Sequence, residues 1–202
     1  LMALDKGLGV PPVGSGKTWM YYDSKCVLFV AGGKATKDKC GVDQLCACLE
    51  AGVEGGIHDD LHLIWELHSQ EKNWGFLLVD AKNAFNEGNR TRMVWTIRHT
   101  WPSGARYVFN CYQHWAVLVV RAGNGVASFL FSKEGVTQGD PLSMVAYGLS
   151  LLPLIRQLKD EFPGVFQPWY ADDAGGGGKF AQIRSYFLRL VELGPKYGYF
   201  PE

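Results

Sequence analysis

The chain has 202 residues, 47% of them hydrophobic and 20% charged, a composition that fits a folded globular protein and excludes a natively disordered one. Twenty Lys and Arg balance 20 Asp and Glu, so net charge advertises no polyanionic partner, and any nucleic-acid contact must come from local placement. No run approaches the roughly 20 apolar residues that span a bilayer, and no secretory leader opens the chain; it reads as an intracellular protein without a membrane partner.

Residues 1–40, rich in Gly, Pro and Lys, read as weakly organised, with a strand-like run at Cys26–Val30 and a small-residue stretch at Ala31–Ala35. Gly14, Ser15, Gly16, Lys17 and Thr18 imitate a phosphate-binding Walker loop, but Pro11 occupies the position of its leading glycine and no clear strand precedes it. Leu45, Leu49, Val53, Leu61, Ile64, Trp65 and Leu67 recur at helical spacing, and Gly55 and Gly56 divide them into two helices. His58 and His62 lack the Glu that a zinc-protease helix places after its first His, so a helix surface explains them more simply. The five cysteines, odd in number and unevenly spaced, read as reduced thiols; Cys46 and Cys48 have no second ligand pair at zinc spacing.

Phe76–Val79 is a short continuous apolar run of the kind expected of a buried central strand, and it stops at Asp80. Helical patterns follow over Arg90–His99 and from Pro102 to Trp115. Ala116–Val120 and Val126–Phe131 flank Gly123, Asn124 and Gly125, a hairpin signal. Pro141 opens a long helix, interrupted at Pro153 and ending before Pro163. Phe166–Tyr170 reads as a strand running into Asp172 and Asp173, then comes the glycine run Gly175–Gly178, and Gln182–Leu193 closes as a helix. Strands, helices and a hairpin around one sheet make this an α+β domain.

If the strands before Asp80 and Asp172 are adjacent, three carboxylates converge. Like charges so close call for a cation, and hard oxygen donors suit Mg²⁺, which takes one or two carboxylates plus substrate phosphates. Such a site serves phosphoryl or nucleotidyl transfer, with two ions roughly 3.5–4 Å apart. Taken alone, each carboxylate has a plainer reading, Asp80 as a cap and Asp172–Asp173 as an exposed hairpin turn.

Three motifs occur in order: Asp80 with Ala84, Phe85 and Asn86; Glu134-Gly135-Val136-Thr137-Gln138-Gly139-Asp140-Pro141-Leu142; and Tyr170-Ala171-Asp172-Asp173. Together they resemble the fingers and palm of reverse transcriptases, of the type encoded by non-LTR retroelements. The resemblance implies a right-hand polymerase palm, an antiparallel sheet with packed helices, over residues 76–202, and partial fingers over residues 1–75. It makes Asp80 and Asp172 the principal ligands of two Mg²⁺ (or Mn²⁺) ions, with Asp173 beside them and the Ala81 carbonyl helping. Phe85 falls at the steric-gate position, where an aromatic ring leaves no room for a ribose 2′-hydroxyl; Gln138 and Gly139 would meet the incoming nucleotide and template. Outside the resemblance, Phe85 is a core aromatic and Gln138–Gly139 a turn into the next helix. The implied partners are an RNA template, a DNA or RNA primer and deoxynucleoside triphosphates.

Lys82, Arg90, Arg92, Arg98, Arg106, Arg121 and Lys133 crowd the span between Asp80 and Glu134, and Trp74, Trp95, Trp101, Trp115 and Trp169 are candidates for base stacking. The chain departs from the resemblance at Pro11–Gly14, where relatives carry a basic residue followed by Pro and Ile, and at Gly175–Gly178, where glycine weakens a strand. It stops at Glu202, before the expected thumb, and reads as a fragment of a longer frame. Two further readings stand beside the polymerase: a decayed, non-catalytic remnant that at most binds nucleic acid, and another two-metal palm enzyme such as a nucleotide cyclase, which leaves Gln138–Leu142 unexplained.

Overall fold

A computed structural model describes residues 2–3, 12–13, 18–41, 43–46, 62, 64–121 and 127–202. The Walker-like residues 14–17, Pro11, His58, Asp59, Asp60, Cys48 and the hairpin turn at 123–125 lie outside them. Two short strands, β1 (Met2–Ala3) and β2 (Pro12–Val13), pair with each other, and two helices follow, α1 (Thr18–Val27) and α2 (Gly33–Cys40), joined by a π-helical turn at Leu28–Gly32. The strand expected at Cys26–Val30 is therefore helical, and residues 18–40 are organised. Val27, Leu28 and Ala31 pack on the core while Phe29 and Val30 are 92% and 82% exposed, an i, i+1, i+4 pattern that suits a helix face and defeats strand alternation. Asp43–Cys46, expected to begin a helix, run as turns, while residues 64–68 are helical.

The main sheet has the order β3 (Trp74–Val79), β7 (Asp173–Lys179), β6 (Trp169–Tyr170), all antiparallel. Among the described residues β3, expected to be a buried central strand, is an edge strand with Leu78 75% exposed, and the central place goes to β7 with the four glycines expected to weaken it. A Cβ at Gly176 would lie 3.1 Å from the Tyr186 ring, and one at Gly177 would lie 2.9 Å from the Phe76 ring. Glycine costs about 0.5–1 kcal/mol per strand position in entropy, and here the close approach of aromatic rings to the bare backbone offsets it. Phe166, expected to start β6, makes only an isolated bridge to Gly177.

After β3 come a single-turn helix α3 (Ala84–Glu87), then α4 (Arg90–Thr100) and α5 (Pro102–Tyr112), then a separate hairpin of β4 (Ala116–Arg121) and β5 (Ala127–Ser132). The long helix α6 (Pro141–Glu161) is capped by Asp140, whose carboxylate accepts from the Leu142 amide at 2.8 Å, with Pro141 at the first turn. It runs unbroken past Pro153, against expectation. Proline inside a helix costs about 3 kcal/mol, but Leu151, Leu152, Leu154 and Ile155 around it are fully buried, and that burial outweighs the lost hydrogen bond. Last is α7 (Phe180–Leu193), which lies on β7 and β3 and leads into a 3₁₀ turn at Gly194–Tyr197. Among the described residues no helix is long and apolar enough to cross a membrane.

Candidate active site

The register of the main sheet decides where the carboxylates go. Val79 pairs with Ala174, so Asp80 leaves β3 opposite Asp173, the first residue of β7. Tyr170 pairs with Asp173, leaving Ala171 and Asp172 as a two-residue hairpin turn. Ala171 alone of the two has positive φ, +51°, the pattern of a type II′ turn, in which glycine is usual. Gln44 supports it: its side-chain amide donates to the Ala171 carbonyl at 3.2 Å, and its carbonyl oxygen accepts from the Ala171 amide at 2.8 Å. Both bonds are buried. From the other side the Tyr199 hydroxyl donates to the Asp172 carbonyl at 2.9 Å, and the Glu202 amide donates to the Asp80 carbonyl at 2.9 Å. The carboxylate of Asp80 accepts from the Ala81 amide at 2.8 Å.

Burial, and then the charge of Asp80, raise the Asp173 carboxyl above its ordinary pKa. Burial likewise raises the Tyr147 phenol, with added contributions from Asp172, Cys46 and Asp80, so that ring lies within the field of both principal carboxylates. The Cys46 thiol is pushed up to about 12, chiefly by burial, and donates to the Met144 carbonyl at 3.7 Å, which makes it a neutral packing group.

Phe85 follows from α3, and its ring stacks on Tyr147 with centroids 4.9 Å apart. Its backbone is clamped by the second motif: the Val136 amide donates to the Phe85 carbonyl at 2.6 Å and the Gly135 amide to the Gly88 carbonyl at 2.7 Å. Gly135 has φ +72°, and a Cβ there would lie 2.2 Å from the Phe85 carbonyl oxygen. Arg90 holds the same junction, donating to the Gly135 and Ser132 carbonyls and the Ser132 hydroxyl, while its amide donates to the Glu134 carboxylate. It is 8% exposed and spends its guanidinium on protein, so it does not belong among the phosphate-tracking cations. Lys82 is exposed and pairs with Glu202 at 3.0 Å.

Gln138 and Gly139 lie on the loop before α6, Gln138 half-buried and Gly139 exposed at φ +86° with nothing within 4 Å of where a Cβ would stand. Among the described residues no hydrogen bond joins them to the carboxylates. Asp140 beside them accepts from the Ser24 hydroxyl at 3.0 Å, tying the loop to α1. Of the tryptophans proposed for stacking, Trp101 and Trp169 are fully buried and Trp74 stacks on His68; Trp95 and Trp115 are exposed.

Among the described residues no three His, Cys, Asp or Glu side chains form a ready-made metal cage. The donor set is instead oxygen only, with like charges facing each other across the Asp80–Asp173 register. It fits Mg²⁺, which binds through one or two carboxylates and completes its shell with water and phosphate. Sequence reasoning missed Gln44 and misassigned Arg90; nothing in the spacing of either betrays its partner, which lies across the fold.

The fold has known counterparts. The chain is similar to telomerase from Candida albicans in complex with the TWJ fragment of telomeric RNA, with TM-score 0.59 and 11% identity, covering 91% of this chain and 33% of that one. It is also similar to apo telomerase from Candida tropicalis truncated from its C-terminal domain, with TM-score 0.62, 13% identity and coverage of 91% and 39%. A third, telomerase from Candida tropicalis in complex with the TWJ fragment, gives TM-score 0.58, 13% identity and coverage of 96% and 38%. The likeness is one of fold, a mixed α/β arrangement with antiparallel sheets, and this chain spans between a third and two fifths of each telomerase chain. No protein-family model matches the chain, and no curated protein matches it in sequence.

Proposed function

We propose that this chain is the catalytic core of a reverse transcriptase, an RNA-directed DNA polymerase of the non-LTR type, with palm over residues 76–202 and partial fingers over residues 1–75. The observation that carries the reading is the register that sets Asp80 opposite Asp173, next to the turn bearing Asp172 and near the Tyr147 ring on which Phe85 stacks. The fold likeness to telomerase, a reverse-transcriptase-related enzyme solved with telomeric RNA, supports both the polymerase class and a nucleic-acid partner.

In this reading the primer 3′-oxygen bonds to the α-phosphorus of a deoxynucleoside triphosphate, the bond to pyrophosphate breaks, and the hydroxyl proton passes to water. Asp80 and Asp172, assisted by Asp173, would hold two Mg²⁺ or Mn²⁺ ions. The chemistry such ions would supply is a lower pKa for the attacking hydroxyl and stabilised charge on the leaving oxygen. Gln44 and Tyr199 hold the backbone of the turn that carries Asp172. Phe85, backed by Tyr147, closes the space a 2′-hydroxyl would need. Gln138 and Gly139 face the nucleotide and template, and the open space beside Gly139 permits backbone approach.

The test is primer extension on an RNA template with deoxynucleoside triphosphates and Mg²⁺ or Mn²⁺, comparing the chain with Asp172→Ala. Extension that disappears in the variant supports the assignment. Extension by neither, with both folded, favours the non-catalytic remnant, and magnesium-dependent binding of a deoxynucleoside triphosphate then separates an incomplete polymerase from a decayed one.

A further inference from the structure

Positive charge on this neutral chain is not evenly spread. On α4, Arg92, Trp95 and Arg98 recur at three-residue spacing and form one stripe; on α5, Arg106 faces it, and Lys133 and Trp115 close the far side around the hairpin. Together they line an open groove of about 1500 Å³, beyond the roughly 300–1,000 Å³ typical of small-molecule pockets. Its shape suits a polymer.

Two observations specify the polymer. None of Arg92, Arg98, Arg106 and Lys133 forms an ion pair among the described residues, whereas the chain's other Arg–carboxylate contacts, at Arg156 and Arg189, are closed. Among the described residues Glu134 is the one acid lining the groove, and its carboxylate accepts the Arg90 amide. Among the described residues the groove therefore presents four cations without a carboxylate partner, Arg92 lying 4.6 Å from the Tyr197 ring centroid, against the single charge of Glu134. Between them stand two tryptophans that are 64% and 60% exposed, Trp95 and Trp115, with the Lys133 ammonium 4.4 Å from the Trp115 ring centroid. A ring-free acidic polypeptide such as poly-glutamate would satisfy the cations but has no flat ring to offer the indoles. A single strand of nucleic acid answers both, with phosphates for the cations and bases to stack on the rings.

We propose that this groove holds a single-stranded nucleic-acid segment at a site apart from the carboxylates; Asp80, Phe85, Asp172 and Asp173 contribute nothing to its lining. The site needs no metal and no catalysis.

The test is fluorescence anisotropy of a labelled 12-nucleotide oligo(U) with the full chain, in EDTA, over a range of salt. Arg98→Ala/Arg106→Ala should weaken binding at least tenfold and reduce the salt slope by about 1.4, since each single-strand phosphate contact contributes about 0.7. Trp95→Ala/Trp115→Ala should weaken it by a similar factor with the salt slope unchanged, a separation that general loss of fold would not give. Circular dichroism matching the parent chain guards both variants. Parent-like binding by either variant, no binding by the parent chain, or equal displacement by poly-glutamate would overturn the proposal. Asp172→Ala should bind the oligonucleotide as the parent does, so that loss of polymerase activity and loss of this site are read separately.

Discussion

The ring of Phe85 lies over that of Tyr147 with an interplanar angle of 26°, and the Tyr147 hydroxyl is buried without a hydrogen-bond partner among the described residues. Phe85 comes from the short helix after β3, Tyr147 from the second turn of α6, so the stack joins the first motif to the helix that the second motif opens. In the proposed gate role, a ring backed by a side chain 1% exposed could not tilt away from a bulky sugar without opening the core. Phe85→Ala should therefore lower discrimination against ribonucleotides at least tenfold in single-nucleotide incorporation assays. Unchanged discrimination would remove Phe85 from the gate role.

Tyr147→Phe separates the ring from its hydroxyl. A buried hydroxyl without a partner costs about 1–3 kcal/mol, so its removal should stabilise the chain by about 1 kcal/mol, or raise Tm by about 2–4 °C in a domain of this size. Discrimination should survive, because the stack survives. A fall in Tm would mean that the hydroxyl has a partner in solution.

Gln44 anchors the carboxylate-bearing turn from outside all three motifs. Gln44→Leu keeps the volume but strands the Ala171 amide and carbonyl, and two orphaned buried groups should cost about 3 kcal/mol in urea unfolding. Extension should fall more than the population of folded chain does, since the turn loses its brace. A midpoint shift under about a third of that would show the turn to be self-supporting.

Two glycines of the second motif should respond differently to alanine. At Gly135 the added methyl meets the Phe85 carbonyl and the Asn86 backbone, and positive φ adds strain, so Gly135→Ala should cost about 3 kcal/mol or more. At Gly139 the space is open and strain alone remains, about 1 kcal/mol. Equal losses in thermal unfolding would contradict the clamp between the second motif and Phe85.

Asp43 supplies a pH dependence away from the carboxylate site. Burial opposes its ionisation, but Lys159 and Arg156, each 2.9 Å away, outweigh that and hold its carboxyl below the ordinary value. A depressed folded pKa means the unfolded chain binds the proton more tightly, so this contribution is present above the ordinary Asp range and is lost as pH falls through the lower, folded value. Allowing for partial exposure, Asp43→Asn should cost about 1 kcal/mol at pH 7, and the difference from the parent should vanish in acid. A difference that persists at low pH would assign it to packing.

The amino-acid order alone fixed the three motifs, the carboxylate ending an apolar run at Val79, and the helical periods of α4 to α7, because each depends on neighbours within a turn or two. Its local rules failed at Cys26–Val30, where apolar β-formers are recruited to a helix face, and at Pro153, where a buried helix tolerates proline. They failed again at Gly175–Gly178, which read as a weak strand until Tyr186 and Phe76 were found against it. Only the tertiary structure paired β3 with β7 and so brought Asp80 opposite Asp173, moved Arg90 from the surface to a buried clamp, and sorted Trp95 and Trp115 from Trp101 and Trp169. The physical reason is the same throughout: periodicity reports which face of an element is apolar, but a hydrogen bond, a ring stack or an unpaired charge depends on which residue arrives from a distant part of the chain.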